Sequence, residues 1–401
     1  MPKGRDQKPH IGIFGRRNVG KSSFINAITG SDIAIVSDVA GTTTDPVKKS
    51  IEIFGIGPAI IIDTAGIDDV GALGEKRTRK TMDIVKIVDC AILLLAENLF
   101  GDYEMTLIKM LDEYEIPFMI VHNKSDIQPI GKSTKKEIYT SCKKDVLDFS
   151  AVGKENMNEV VELLKKTIPE TSYQNIALFD GLINEKDIVV LVTPIDSEAP
   201  DGRMILPQVM AIRDVLDHNC INVVLKETEL DEFLKNTGIK PRIVVTDSQA
   251  FAKIDAIVPK DIPLTGFSIL FARLRGDFNA YKEGTPKIAE LKDNDKILIL
   301  ESCTHHVSCD DIGRHKIPKW LSTFTGKNLE FEFVSGFGNL KNNIRDYALV
   351  IQCGGCVFTR KQVLNRLKPA VDAGIPVTNY GMMIAFTNGI YDRALAPFTK
   401  S

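Results

Sequence analysis

Residues 15–22 read Gly15-Arg16-Arg17-Asn18-Val19-Gly20-Lys21-Ser22, a G-x-x-x-x-G-K-S phosphate loop. An apolar run, Ile11-Gly12-Ile13-Phe14, precedes it, and Ser22–Ile28 reads as a helix behind it. Strand, loop and helix in that order are the context the motif needs. Gly15 and Gly20 let the backbone curl so that successive N–H groups face phosphate oxygens. Lys21 sets a point charge on the β- and γ-phosphates, and Ser22 offers Mg²⁺ a hydroxyl. Asn18, Val19 and Ser23 complete the expected nucleotide contacts of this stretch. The start of the helix adds its partial positive charge.

The chain has 401 residues, more than one ordinary core needs, so two or three domains are expected. Apolar residues at 44% and charged residues at 26% mark a globular protein. The net charge of −3 advertises no polyanion-binding surface, and no nucleic acid is expected as a partner. No apolar run approaches the ~20 residues of a membrane span. The N-terminus lacks the apolar core of a signal peptide, so the expected location is cytoplasmic. Seven cysteines there point to thiols or metal ligands rather than disulfides.

In residues 1–169 strand and helix patterns alternate, which predicts a parallel sheet with helices on both faces. Expected strands are His10–Gly15, Ser50–Phe54, Ala59–Asp63, Cys90–Ala96, Phe118–Asn123 and Val146–Phe149. Nucleotide sites in such sheets lie at the carboxyl ends of the strands, where the other signatures fall. Asp63-Thr-Ala-Gly66 closes a run of three isoleucines. Asp63 can hold Mg²⁺ through water, and the Gly66 N–H can meet the γ-phosphate. Asn123-Lys124-Ser125-Asp126 closes another strand. The Asp126 carboxylate can accept from guanine N1–H and N2–H, and adenine would leave it unpaired. Ser150 and Ala151 back the base. Within Gly41-Thr-Thr-Thr-Asp45, Thr43 is the expected Mg²⁺ ligand in the GTP state. Each motif alone is weak. Five in order, each at a strand end, read as a P-loop GTPase domain.

This domain resembles the translation-factor-like GTPases of tRNA modification and ribosome assembly. Gly66 is followed by Ile67, which cannot orient water as the Gln of Ras-type enzymes does. The resemblance implies a K⁺ ion held by Asn18 and the first switch loop, in place of an arginine finger. It also implies a water-positioning acid after the second switch motif, for which Glu75 stands at a comparable distance. Glu75 lies among the four basic residues of Gly74–Lys80, where a solvated helix face is the bland alternative.

Ser172–Asn175 reads as a linker. Residues 172–264 read as a small α/β domain, with strands at Asp187–Pro194, Ile221–Lys226 and Arg242–Thr246. Its helices are expected at Leu206–Asp217 and Leu230–Asn236. It shows no nucleophile, metal spacing or phosphate loop, and apolar strands without chemistry are a place where self-association is expected. Cys220 reads as a small buried hydrophobe.

Residues 265–401 carry the second decisive pattern. A strand at Lys296–Leu300 runs into Glu301-Ser302-Cys303-Thr304-His305-His306, and one at Ala348–Ile351 runs into Gln352-Cys353-Gly354-Gly355-Cys356. A helix at Lys361–Leu367 follows, then a strand at Pro376–Asn379 that ends in a Tyr-Gly turn. Cys303, Cys353 and Cys356 thus lie past strand ends on one sheet edge. Three thiolates with the His305 imidazole fit an iron–sulfur cluster or a zinc ion. A thioredoxin-like pair would leave Cys303 and His305 unexplained. Structural zinc usually uses two paired knuckles, and one is present here.

The whole chain resembles the HydF family, the GTPase maturases of iron–iron hydrogenases. The resemblance rests on Gly15–Ser22 with Asp63–Gly66, and on Cys303-x-His305 and Cys353-x-x-Cys356 with 49 residues between Cys303 and Cys353. It implies a GTP-hydrolysing first domain, a dimerising middle domain and a third domain that binds a 4Fe–4S cluster through three cysteines. It further implies a scaffold role. A transient di-iron precursor, made with two radical-SAM maturases, is received and handed to the apo-hydrogenase. Family members commonly carry His where this chain has Gln352. His305, Glu301, Asp310 or water is then left for the fourth cluster position. The competing classes are an RNA- or ribosome-associated GTPase with a structural zinc domain, and a GTP-dependent signalling switch.

Overall fold

In a computed structural model of the chain, the described residues are 8–29, 47–53, 56–64, 74–153, 155–169, 177–194, 204–302, 312–338 and 340–399. Two compact units form, Met1–Asn175 and Ile176–Ser401. Among the described residues no helix is long and apolar enough to cross a membrane.

The first unit contains β1 (His10–Phe14), α1 (Lys21–Thr29), β2 (Val47–Ile53), β3 (Gly57–Asp63), α2 (Gly74–Val85), β4 (Cys90–Leu95), α3 (Asp102–Glu113), β5 (Phe118–His122), α4 (Lys132–Cys142), β6 (Val146–Asp148) and α5 (Met157–Thr167). One six-stranded sheet has the order β2-β3-β1-β4-β5-β6. The expected parallel arrangement holds for five strands, while β2 pairs antiparallel to β3 at the edge. The two are consecutive, and Gly57 at φ +104° lets the chain reverse between them. β4 is buried along its whole length. Its unbroken apolar run is what a strand covered on both faces requires. Phe24, Ile25 and Ile28 put one face of α1 into the core, where the Phe24 ring meets Phe149 edge-on at 5.2 Å. That packing seats the start of α1, and with it the phosphate loop, over the carboxyl end of β1.

The second unit carries two four-stranded parallel sheets. The first is built from β7 (Ile188–Val192), α6 (Leu206–Asp217), β8 (Ile221–Leu225), α7 (Leu230–Thr237), β9 (Ile243–Thr246), α8 (Phe251–Ile257), β10 (Leu264–Gly266) and α9 (Phe267–Arg275), in the order β10-β9-β7-β8. The second uses α10 (Phe278–Gly284), β11 (Lys296–Glu301), α11 (Ile317–Thr325), β12 (Glu330–Ser335), β13 (Tyr347–Gln352), α12 (Arg360–Asp372), β14 (Val377–Asn379), α13 (Tyr380–Thr387) and α14 (Tyr391–Leu395), in the order β12-β11-β13-β14. α9 packs against α6 on one side and α12 and α13 on the other, so it belongs to both layers. Seven of its nine residues are buried.

The structure adds β10 and β12 to the expected strands. It also replaces the expected Tyr-Gly turn: Tyr380 and Gly381 open α13, because the Asn379 side chain accepts from the Met382 N–H at 2.9 Å and caps the helix. Gly381 lacks the Cβ that would lie 2.6 Å from Ser268, so α13 can approach α9.

Candidate functional site

The phosphate loop joins β1 to α1. Gly15 (φ +151°), Asn18 (φ +64°) and Gly20 (φ +89°) give it the curl that L side chains resist. A Cβ on Gly15 would lie 2.5 Å from the Leu94 carbonyl oxygen. One on Gly20 would lie 2.4 Å from Asn123 Nδ2. Lys21 is buried, and its Nζ donates to the carbonyls of Gly15 (2.7 Å) and Arg16 (3.0 Å). Val19 is buried under the loop, while Asn18, Ser22 and Ser23 face outward. Asp63 ends β3 beside Ile13 of β1, with its side chain buried. Thr64 Oγ1 donates to the Ile13 carbonyl at 2.7 Å and ties that strand end to the loop's entry. Five expected residues thus come to one sheet edge: Gly15, Gly20, Lys21, Ser22 and Asp63. Thr43 and Gly66 lie outside the described residues. Glu75 falls in α2, and its side chain lies outside the described atoms.

The next strand ends supply the base-facing group. Asn123 is buried and donates from Nδ2 to the Val19 carbonyl at 2.8 Å. It therefore fixes the phosphate loop from below. Lys124 (φ +61°) turns the chain, and its Nζ lies 3.7 Å from Glu97. Asp126 is exposed, and its Oδ1 accepts from the buried Ser150 hydroxyl at 2.7 Å. That bond aims the carboxylate outward, with Ala151 next in the chain and half-buried. The arrangement can cradle a polyphosphate at one end and pair with two N–H donors at the other.

Sequence reading missed Glu104. It is buried in the first turn of α3 and takes two bonds of 2.8 Å from the Arg16 guanidinium. An acid three residues after Gly101 at a helix start was the available signal.

The cysteine pair follows β13. Ser302, at the end of β11, donates its N–H to Cys353 Sγ at 3.0 Å, and its hydroxyl oxygen lies 2.9 Å from that sulfur. The register pairs Leu300 with Gln352, which puts both strand ends level. Gln352 is buried, and its Nε2 donates to Ser302 Oγ (3.2 Å), to the Cys353 carbonyl (3.2 Å) and toward Cys353 Sγ (3.5 Å). It serves as a donor to the cysteine. Burial pushes the Cys356 thiol up, against the pull of the Arg275 charge beside it. Gly355 (φ +66°) needs to be glycine, while a Cβ on Gly354 would meet no described atom within 4 Å. Cys303 and His305, with Asp310, lie outside the described residues. Among the described residues no group of three or more metal-ligating side chains forms. Glu301, one of the candidates for the fourth position, already has partners. Its carboxylate takes a two-bond contact from Arg314 and a 2.6 Å bond from the Ser335 hydroxyl, deep under the sheet edge.

Two buried cations stand behind the loop. Arg275, 4% exposed, donates from Nη1 to the carbonyls of Gly355 (2.9 Å), Cys356 (2.6 Å) and Phe358 (2.5 Å). Arg366 donates to the Val334 carbonyl at 2.6 Å, and its Nη1 meets no acceptor among the described residues. Burial lowers both to about 10, so both stay charged at neutral pH. Among the described residues neither guanidinium donates to a carboxylate, although the Glu301 carboxylate acts on Arg366 through space. The donors on Cys353, the space beside Gly354 free of described atoms and the two positive charges fit an anionic thiolate-bound metal group.

A family model described as a 50S ribosome-binding GTPase matches residues 10–124. One described as the hydrogen maturase F dimerization domain matches 178–276, and one described as the hydrogen maturase F tetramerization domain matches 279–397. Together the last two cover more than half of the chain. The chain belongs to the hydrogen maturase F family. Its first unit is a GTPase domain, the class that hydrolyses GTP to GDP and phosphate. Relatives include the tRNA modification GTPase MnmE of Endomicrobium trichonymphae, 28% identical over 245 residues, 60% of this chain and 51% of that one. MnmE of Lactobacillus helveticus is 35% identical over 185 residues, 45% of this chain and 36% of that one. GTPase Der of Wolinella succinogenes is 38% identical over 133 residues, 32% and 28% of the two chains. The chain spans about half the length of these relatives or less. Among solved structures, the G domain of the T. maritima FeoB iron transporter is 21% identical, covering 42% of this chain and 99% of its own, with a TM-score of 0.31.

Proposed function

We propose that this hydrogen maturase F relative is a GTP-hydrolysing scaffold. It holds a 4Fe–4S cluster on Cys303, Cys353 and Cys356, accepts a di-iron precursor from two radical-SAM maturases, and delivers it to apo iron–iron hydrogenase. The observation that supports this reading is the Cys353–Cys356 loop, backed by two buried guanidinium groups that donate to carbonyls and, among the described residues, to no carboxylate. When bound, the cluster supplies an attachment point for a second metal unit. The chain's residues hold its sulfur ligands, donate hydrogen bonds to Cys353 and exclude water from behind the loop. The fourth iron position is left to His305, Asp310 or water ahead of Glu301, whose carboxylate is engaged by Arg314 and Ser335.

In the first unit, Lys21 and the loop N–H groups hold the phosphates. Ser22, Thr43 and Asp63 hold Mg²⁺, and Asn18 holds K⁺. Asn123, Lys124, Asp126, Ser150 and Ala151 hold guanine. Gly66 and Glu75 order the γ-phosphate and the attacking water. The domain division 1–169, 172–264 and 265–401 belongs to the same proposal.

A homodimer is proposed through the middle sheet. β8 is an edge strand with Ile221 (53%) and Val224 (41%) exposed. On α6, Val209 and Leu216 lie two turns apart on one exposed face. Unpaired edges and exposed apolar groups together suit a second copy of the chain.

Anaerobic purification with iron, sulfide and zinc assays, and EPR after reduction, tests the reading. Near four irons per chain with a reduced-cluster signal, lost in Cys353→Ser, supports it. One tight zinc and no iron after reconstitution overturns it in favour of a GTPase with a structural zinc domain.

A further inference from the structure

The Cys353–Cys356 loop takes its shape from a residue outside its own sheet. Arg275 is the last residue of α9, within the match to the dimerization domain (178–276), while the loop lies within the match to the tetramerization domain (279–397). One Nη1 serves three loop carbonyls, those of Gly355, Cys356 and Phe358. Nη2 lies 4.0 Å from Met210 Sδ on α6, and the guanidinium stands over the Phe271 ring at 5.4 Å. Cys356 in turn packs against the apolar cluster of the middle sheet, beside Met210. A guanidinium is strongly hydrated in water, and burying one without a carboxylate is costly. Three carbonyl dipoles repay part of that cost, and an anionic group on the neighbouring sulfur repays more.

We propose that Arg275 is a positioning residue for the metal group on Cys356: it locks the loop in its ligand-presenting form, and its charge raises the group's reduction potential. The inference rests on the cluster reading above. Reduction adds one negative charge to the group, and a fixed cation in a low-dielectric setting favours that added charge. The same residue makes the site dependent on the middle sheet, because α9 and Met210 hold the guanidinium in place. Arg366 adds charge from the Cys353 side but bonds no loop carbonyl, so it does not set the loop's form.

Two substitutions in the full-length reconstituted protein separate the roles. Arg275→Gln removes the charge, and its amide nitrogen falls two bonds short of the position Nη1 holds. Arg275→Lys keeps the charge and loses the planar three-carbonyl hold. EPR-monitored redox titration reads the first, and the rate of iron release to a chelator reads the second. For Arg275→Gln the reduced-to-oxidised ratio at the wild-type midpoint is expected to fall about tenfold, about 59 mV for a one-electron couple. Arg275→Lys is expected to keep the midpoint and to release iron at least tenfold faster. A wild-type midpoint in Arg275→Gln, or wild-type iron release in Arg275→Lys, overturns the proposal. If Arg275→Gln does not fold, the release rate of Arg275→Lys decides alone. A wild-type protein that takes up no iron fails before any variant is compared, which marks the cluster reading as the one at fault.

Discussion

The guanidinium of Arg16 grips the carboxylate of Glu104 through two parallel bonds, Nε to Oε1 and Nη2 to Oε2, each 2.8 Å long. Glu104 also accepts from the Gly101 N–H at 2.9 Å and is 1% exposed at its side chain, so the second residue of the phosphate loop is pinned to the start of α3. Such two-pronged contacts fix direction as well as distance.

Glu104→Ala would leave the Gly101 N–H and one side of Arg16 without their acceptor. The pair is buried on the acid side only, so the expected loss is about 1–2 kcal/mol, below that of a fully buried charge pair. Thermal melting should fall by several degrees, and GTP should bind several-fold more weakly in a fluorescent-nucleotide titration. Glu104→Gln keeps the shape and should fall between. Wild-type nucleotide affinity in Glu104→Ala would remove any role of the clamp in the loop's geometry.

Asp126 carries the test of base identity. Its carboxylate, aimed by Ser150, pairs with two N–H donors only if the base is guanine. Asp126→Asn turns one acceptor into a donor and should weaken GTP binding by about a hundredfold or more, at about 1.5–3 kcal/mol for each charge-assisted bond. Xanthosine triphosphate, which offers a carbonyl where guanine has its amino group, should then bind better than GTP. Equal binding of GTP by wild type and variant would mean that the base lies elsewhere.

The first unit was readable from its sequence because β1, β3 and β5 are largely apolar runs with a motif at the carboxyl end of each, and β4 between β1 and β5 is apolar throughout. β12 was legible and missed, since Glu330-Phe331-Glu332-Phe333 alternates charge with ring as a half-buried strand does, while β10 escaped because it spans only three residues. α9 escaped because it is buried nearly all round and shows no polar stripe. Arg275 was visible only as a cation inside the apolar run Phe267–Arg275. A charge in a helix that is otherwise core is a signal that something negative or polar is near. What no spacing rule could supply was the partner, since Gly355, Cys356 and Phe358 lie about eighty residues further along the chain.

The edge at β8 predicts how copies meet. Replacing both Ile221 and Val224 with lysine puts two charges on an edge that now exposes apolar side chains. Edge lysines block strand pairing without touching the core. Light scattering on the double variant should show dissociation at concentrations at least tenfold higher than for wild type, with GTP hydrolysis retained. A dimer of unchanged strength would move the interface to α6, where Val209→Lys with Leu216→Lys is the corresponding test.

Two adjacent glycines should respond to alanine in different ways. Gly355 holds φ +66°, and a Cβ there would come within 3.0 Å of Val363 Cγ2. Gly355→Ala should cost about 1–2 kcal/mol in left-handed strain alone. The metal-free protein should therefore melt several degrees lower. A Cβ on Gly354 meets no described atom within 4 Å, so Gly354→Ala should leave the metal-free melting temperature where it was. If the open side of Gly354 is the space a cluster fills, that same variant should bind less iron on reconstitution. Full iron in Gly354→Ala with a wild-type EPR line shape would show that the bulky group sits on the other side of the loop. The expected pattern, stability lost at one glycine and iron lost at its neighbour, separates the backbone demand of the turn from the room its ligand needs.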